Sequence, residues 1–401
     1  MTLHRKSDFA ETEPRAFPQD RLSWGAMICI LVAVLLPVWQ GGNRLPAQVV
    51  AASAILIALL LCIRFQSQAS LPELLRMPMA GLAALLTYCA IQAATWSIEP
   101  GRSWDFILQA GLLLIAIPVA VAPGSRRPLL DLLLVGAAVN AAFGLAAQIL
   151  GVRSLGLFEK TDYLEWVSGT FVNRNAAADF FVLGALLSIA RIAMARSLRT
   201  RVVSSVALFI LLAALAGTGS RGGVVVGGLC IAGCATMLAK RHRILVVAGS
   251  VCLALLGATI LLVQRTGAFE SSAARFALWS DAVTAIALRP WGGFGAGTYP
   301  TISILFRSPS VPPGLTWDSS HSVYLDAAAT LGIPAAVLAS IVVIGLAVRL
   351  FRLHDPLALA MGFGTLHLLI HAIFDFSPVT PAILVLFAVA VGMAARARSA
   401  S

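Results

Sequence analysis

The chain has 401 residues, of which 59% are hydrophobic and only 12% charged, where a soluble globular chain carries about 25% charged residues. Its 29 Lys and Arg against 18 Asp and Glu leave a formal charge of +11. These figures exclude a soluble enzyme, a disordered chain and a disulfide scaffold, and they describe an all-α polytopic membrane protein.

A helix needs about 20 apolar residues to cross a bilayer. Windows of that size predict about twelve transmembrane helices, at 24–40, 46–64, 78–97, 104–122, 129–150, 176–194, 202–217, 223–239, 244–263, 323–348, 356–374 and 379–395. The connecting segments set the orientation through their basic residues. One set of loops, with the two ends of the chain, holds nineteen of the 29 Lys and Arg, and the alternate loops hold ten. Both termini are therefore expected in the cytoplasm, and the basic charge reads as topology with no nucleic-acid partner. The organisation that follows is a cytoplasmic tail at 1–23, N-terminal spans at 24–150, a region at 151–395 that carries the chemistry, and a cytoplasmic tail at 396–401. No cleavable signal peptide is expected, because the first apolar run follows 23 mixed residues and ends in no A-x-A site.

Two outward segments exceed a turn, 151–175 and a large periplasmic loop at 264–322. The first closes on Phe171-Val172-Asn173-Arg174-Asn175, which sets an arginine at the entrance of a helix. Thr218-Gly219-Ser220-Arg221-Gly222-Gly223 does the same at the outer end of the seventh span. An arginine between apolar helices is costly and normally has a partner there, and its planar fork suits phosphate oxygens. Arg174, Arg221, Arg265 and Arg275 at outer rims would suit a diphosphate.

Within the large loop, Ser271 or Ser272 can cap a short amphipathic helix marked by Phe276, Trp279, Val283 and Ile286, which Arg289-Pro290 ends. Arg275 and Trp279 lie one turn apart on it, and alone Arg275 reads equally as an interfacial charge. The stretch from Pro290 to Tyr299 has glycines at 293, 295 and 297, which permit tight turns but lack the spacing of a dinucleotide fingerprint. His321 follows in Asp318-Ser319-Ser320-His321-Ser322, just before a span. A neutral imidazole at that rim can take a proton from a hydroxyl, or can simply cap the helix. His367, His371 and Asp375 recur every four residues on one face of the eleventh span. They read as interhelical hydrogen bonding in preference to a metal site. Cys230 and Cys234 share a helix face without a second ligand pair, and read as packed thiols.

Taken in order, Arg275-Phe276-Ala277-Leu278-Trp279, Pro290 with Gly293, Gly295, Gly297 and Tyr299, and His321-Ser322 followed by Gly332 resemble the O-antigen ligase and Wzy-type polymerase superfamily. The Ser220-Arg221-Gly222 element, Asn173-Arg174-Asn175 and His371 with Asp375-Phe376 are similar to further features of that family, so the resemblance covers roughly 165–380. It implies a metal-independent, inverting glycosyltransferase of the bacterial inner membrane that needs no cofactor. Such enzymes take a glycan from undecaprenyl diphosphate at the periplasmic face, and ligases pass it to lipid A core while polymerases pass it to another repeat unit. Carried over residue by residue, His321 would activate the acceptor hydroxyl, and Arg221, Arg275 and Arg174 would hold the donor diphosphate. Arg265 joins them by its place at the rim, and the remaining motif residues support the loop. The ligase form of the histidine motif has Gly, Thr or Tyr three residues after its glycine, and here that residue is Ala335, which counts toward a polymerase. The single dominant outward loop counts toward a ligase. Polysaccharide-assembly proteins are conceivable partners. A secondary transporter is the rival class, but its charges would gather at the bilayer midplane in two repeated halves.

Overall fold

The computed structural model describes residues 24–38, 45–65, 72–121, 126–153, 159–160, 162–239, 268–311 and 317–396, and among these the chain is helical with no strand. The N-terminal part forms α1 (Trp24–Leu35), α2 (Leu45–Phe65), α3 (Glu73–Thr95), α4 (Pro100–Val121) and α5 (Arg126–Ile149). After the first long segment come α6 (Arg174–Ala193), α7 (Leu198–Gly217) and α8 (Arg221–Leu238). The large loop contributes α9 (Ala268–Leu288) and α10 (Tyr299–Leu305), and the chain closes with α11 (Val323–Leu331), α12 (Ile333–Phe351), α13 (Pro356–His371) and α14 (Pro381–Ala395). Seven of these helices, α3 to α8 and α12, are long and apolar enough to cross a membrane, with shorter apolar helices beside them. The expected span at 244–263, both expected tails apart from Arg396, and Arg265 lie outside the described residues.

The centre of the bundle is α6, whose residues from Asn175 to Arg191 are all buried. A helix that is apolar all round has no face to give to solvent and takes the middle of a bundle. Phe180 and Phe181 fill that centre, and Phe171 stacks on Phe180 from the segment before the helix. Around α6 stand α5, α7, α8, α13 and α14. At the end where α6 finishes, Arg191 grips Asp131 of α5 with two bonds of 2.5 and 3.0 Å, and Arg126 holds Asp355 at 2.9 Å. The opposite end, where α6 and α8 begin and α7 and α13 finish, carries every rim residue singled out above that is described.

Helix starts at that end are set by their caps. Asn173 Oδ1 accepts the amides of Asn175 (2.7 Å) and Ala176 (3.3 Å), and Ser220 Oγ accepts that of Gly223 (3.2 Å). Two expectations need correction. The span expected at 323–348 is two helices, because Gly332 adopts φ 87° and Pro334 follows it at the start of α12. A side chain at Gly332 would strike the Trp291 carbonyl at 2.4 Å, so the break is also where the glycine loop docks. The amphipathic helix begins at Ala268, about one turn before the serines expected to cap it, and ends at Leu288 as Arg289-Pro290 requires.

The loop elements form a cap with its own small core. Ala282 and Ala285 of α9, Phe294, Tyr299 and Ile302, and Ala329 of α11 bury one another, with Ile98 joining from the α3–α4 turn. That turn is tied to the loop by Gln92, which is fully buried in α3. Its Nε2 donates to the carbonyls of Gly292 (2.7 Å) and Thr330 (2.8 Å), and its Oε1 accepts the Ala296 amide (2.9 Å).

Candidate functional site

His321 stands where the cap meets the bundle. It is one of two described non-glycine residues with positive φ (61°), a conformation that structures keep only where the surroundings over-determine it. Its ring lies between Trp317 and Phe376, with centroids 5.9 and 5.6 Å away. Its Nδ1 faces Asp375 Oδ2 at 3.7 Å, within charge contact but beyond hydrogen-bonding reach.

Asp375 is the carboxylate on which the rim converges. Asn175 Nδ2 donates to its Oδ2 at 2.6 Å, the Ser377 amide donates to its Oδ1 at 2.9 Å, and an Arg275 terminal nitrogen stands 3.7 Å from Oδ2. Burial works to raise the Asp375 carboxyl, but the His321 and His371 rings and the Ser377 amide outweigh it and hold it below the usual carboxylate range. Arg275 also donates to the Phe374 carbonyl at 3.3 Å, and its side chain is 38% exposed, so it reaches the site from α9 without being sealed into it.

Arg174 is held differently. Its guanidinium lies between the rings of Tyr163 and Trp166, 5.2 and 5.1 Å from their centroids, a cation–π clamp that fixes a planar fork at the start of α6. Trp166 is in turn seated on Gly219, where a Cβ would strike its ring at 2.3 Å, and the Val167 amide bonds to the Gly217 carbonyl at 2.9 Å. The segment before α6 is thus clamped to the α7–α8 corner that carries Arg221. Arg174 lies within electrostatic reach of Arg221, Arg275 and Asp375 together, and Arg221 itself is exposed. Arg275 and Arg174 thus lie within electrostatic reach of Asp375, which His321 faces, and Arg221 lies within reach of Arg174.

Beneath the rim lies a knot that sequence reasoning only half found. His367 Nε2 and His371 Nδ1 both meet Asp179 Oδ1, at 2.8 and 2.6 Å, and Ser377 Oγ meets Oδ2 at 2.7 Å. A carboxylate only accepts, so both rings and the hydroxyl donate to it. Asp179, His367 and His371 could also hold a metal ion. The nitrogens, however, already touch the oxygen at hydrogen-bonding distance, and a cation would have to push them apart. His371 and Asp375 do not share a helix face as expected, because α13 ends at His371 and Asp375 lies beyond it. The histidines turn instead to Asp179 of α6. The signal for Asp179 was present as an ionisable residue inside an apolar span, one turn after Asn175.

The remaining predicted residues sit behind the site. Gly293, Gly295 and Gly297 all have positive φ and press on the α3–α4 turn, α4 and α11; a Cβ on Gly293 would meet the Thr330 carbonyl at 2.3 Å. Tyr299 is buried under the His321 turn, with its hydroxyl 3.4 Å from the Leu278 carbonyl and its acidity reduced by that burial. Trp279 stacks edge-on with Phe276 on α9. Gln92, Asp326 and Trp166 were not anticipated, since each looks ordinary in sequence.

The family model for O-antigen ligase matches residues 206–340. Over this segment the chain is similar to the O-antigen ligase family. The matched segment runs from within α7 to within α12 and includes Arg221, Arg275, the glycine loop and His321. Arg174, Asp179, His371 and Asp375 fall outside it and reach the same place through the fold. The chain has no match among curated proteins. That similarity makes a ligase-like or polymerase-like transfer of lipid-linked glycans the activity to weigh against the geometry.

Proposed function

We propose that the protein is a polysaccharide transferase of the bacterial inner membrane, acting at the periplasmic face with about twelve spans and both termini in the cytoplasm. It takes a glycan from undecaprenyl diphosphate and passes it to lipid A core, as an O-antigen ligase. The observation that carries this reading is the meeting of His321, Asp375, Arg275, Arg174 and Arg221 at one end of the bundle.

In the proposed reaction an acceptor hydroxyl attacks the anomeric carbon, the bond from that carbon to the phosphate oxygen breaks, and the electron pair leaves with the diphosphate. The hydroxyl proton goes to His321, with Asp375 beside it to stabilise the imidazolium. Arg275, Arg174 and Arg221 meet the negative charge that grows on the leaving diphosphate, and Arg265 is assigned to the same role from its sequence position alone. One displacement inverts the anomeric carbon, and base and cations suffice without a metal. Ala335 in the histidine motif favours the second reading, a polymerase that extends a repeat-unit glycan.

Deleting the gene and analysing both lipopolysaccharide and undecaprenyl-linked glycans separates these outcomes. Long polymer on the prenyl carrier with bare lipid A core supports a ligase, and single repeat units on the carrier support a polymerase. If neither pool changes, the transferase reading fails.

A further inference from the structure

The left-handed turn at His321 has to be held by something, and among the described residues the His321 ring nitrogen Nδ1 has no hydrogen bond that could do it. The support comes from behind. The His321 amide donates to Ser319 Oγ at 2.9 Å, and Ser319 Oγ passes its own proton toward Asp326 Oδ2 at 2.5 Å. The Ser320 amide and hydroxyl both donate to Asp326 Oδ1, at 2.8 and 2.6 Å. Ser319 and Ser320 are buried, and Asp326 lies in the first turn of α11, so one carboxylate closes a ring between the residues before His321 and the helix after it. Three donors converge on that carboxylate, and only an acceptor of both oxygens satisfies them all.

We propose that Asp326 is the positioning residue for His321: its carboxylate gathers Ser319 and Ser320 and so fixes the turn that aims the imidazole at the site shared with Asp375 and Arg275. The inference rests on the reading of His321 as the base that activates the acceptor. The titratable groups that face Asp326 are His321 on its own loop, Tyr299 at the start of α10 and, beyond Tyr299, Asp281 of α9. Arg349, the one charged side chain of α12, lies at the far end of that helix. Asp326 retains some accessible surface yet is enclosed on most sides, and this desolvation pushes its carboxyl up to about 6 despite the three bonds.

The test uses the full chain in nanodiscs, with undecaprenyl-diphosphate-linked glycan as donor, lipid A core as acceptor, and undecaprenyl diphosphate as the binding probe. Asp326→Ala should lower kcat about 100-fold, the cost of a base displaced by about 1 Å, with donor KM within about twofold. Asp326→Asn keeps Oδ1 for Ser320 and can donate to Ser319, so it should stay within about tenfold of the parent. That deficit should hold above pH 7 and close below pH 6, where the parent carboxyl is itself neutral. Parental kcat in Asp326→Ala overturns the proposal. So does a loss of donor binding in both variants with a pH-independent deficit, which marks a fold support only. His321→Ala separates the two layers. If it is inactive while Asp326→Ala is active, positioning alone fails; if it keeps turnover, the base reading falls and takes the positioning with it.

Discussion

Replacing Gln92 with alanine should loosen the whole cap, and the cost can be worked out bond by bond. Gln92 is fully buried and holds three backbone groups, two in the glycine loop and one near the end of α11. Without it the Gly292 carbonyl still accepts from Trp96 Nε1 (3.1 Å) and Tyr88 OH (3.3 Å), and the Thr330 carbonyl still accepts the Gly295 amide (2.8 Å). The loss at those two carbonyls is therefore one of two or three bonds, about 0.5–1 kcal/mol each. The Ala296 amide is different, since Gln92 Oε1 is its acceptor and an orphaned buried N–H costs about 1–3 kcal/mol. The sum is about 2–5 kcal/mol, concentrated on 290–299 and on the α11–α12 corner. Hydrogen exchange on the full chain in detergent, read over those segments, should show amides of the glycine loop opening about 30-fold or more sooner, with α6 unaffected. Gln92→Glu should do worse, because a carboxylate would face two carbonyls. If Gln92→Ala exchanges like the parent over 290–299, the loop is braced by something else and the argument from Gln92 is wrong.

Four further perturbations address the site and the knot beneath it. Arg275→Ala should cost about 10²–10³-fold in transfer rate, and His321→Ala should abolish turnover while leaving undecaprenyl diphosphate bound, both read in a reconstituted transfer assay. Gly219→Ala should unseat Trp166, since the new Cβ would lie 2.3 Å from its ring and φ is 60° there; the clamp on Arg174 opens, donor KM rises, and Trp166→Ala should mimic it. Asp179→Ala strands two imidazoles and a hydroxyl in the bundle centre and should destabilise the fold by about 3–5 kcal/mol in a denaturant titration, against little change for His354→Ala at the far end.

Periodicity made most of the helices legible, because spans need long apolar runs and caps such as Asn173 and Ser220 announce their starts. It misread 323–348 as one span, since α11 and α12 are both apolar and only Gly332-Pro334 marks the break. The rim arginines and His321 stood out because charge is scarce in this chain. Asp375 is expected on one helix face with His367 and His371, but spacing of four presumes a helix that in fact ends at His371. Asp326 and Gln92 were invisible for a simpler reason. Their roles come from contacts with residues on other turns, loops and helices, such as Gln92 with Ala296, and sequence spacing does not report such contacts.

The placement of Asp375 also bears on how the cations are kept ready. A tight Arg275–Asp375 pair would spend the arginine before any donor arrived, and a missing carboxylate would leave the gathered arginines repelling one another. The separation of 3.7 Å, with Arg275 38% and Asp375 2% exposed, lies between these extremes. Asp375 spends its hydrogen bonds on Asn175 and Ser377 instead, and through Ser377 it is anchored to Asp179 in the bundle centre. The carboxylate is therefore fixed, while Arg275 keeps a 3.3 Å bond to the Phe374 carbonyl and a longer contact with Asp375. On the proposed reaction, an arriving diphosphate can draw Arg275 away at little cost, while Asp375 stays held beside His321 by Asn175 and Ser377.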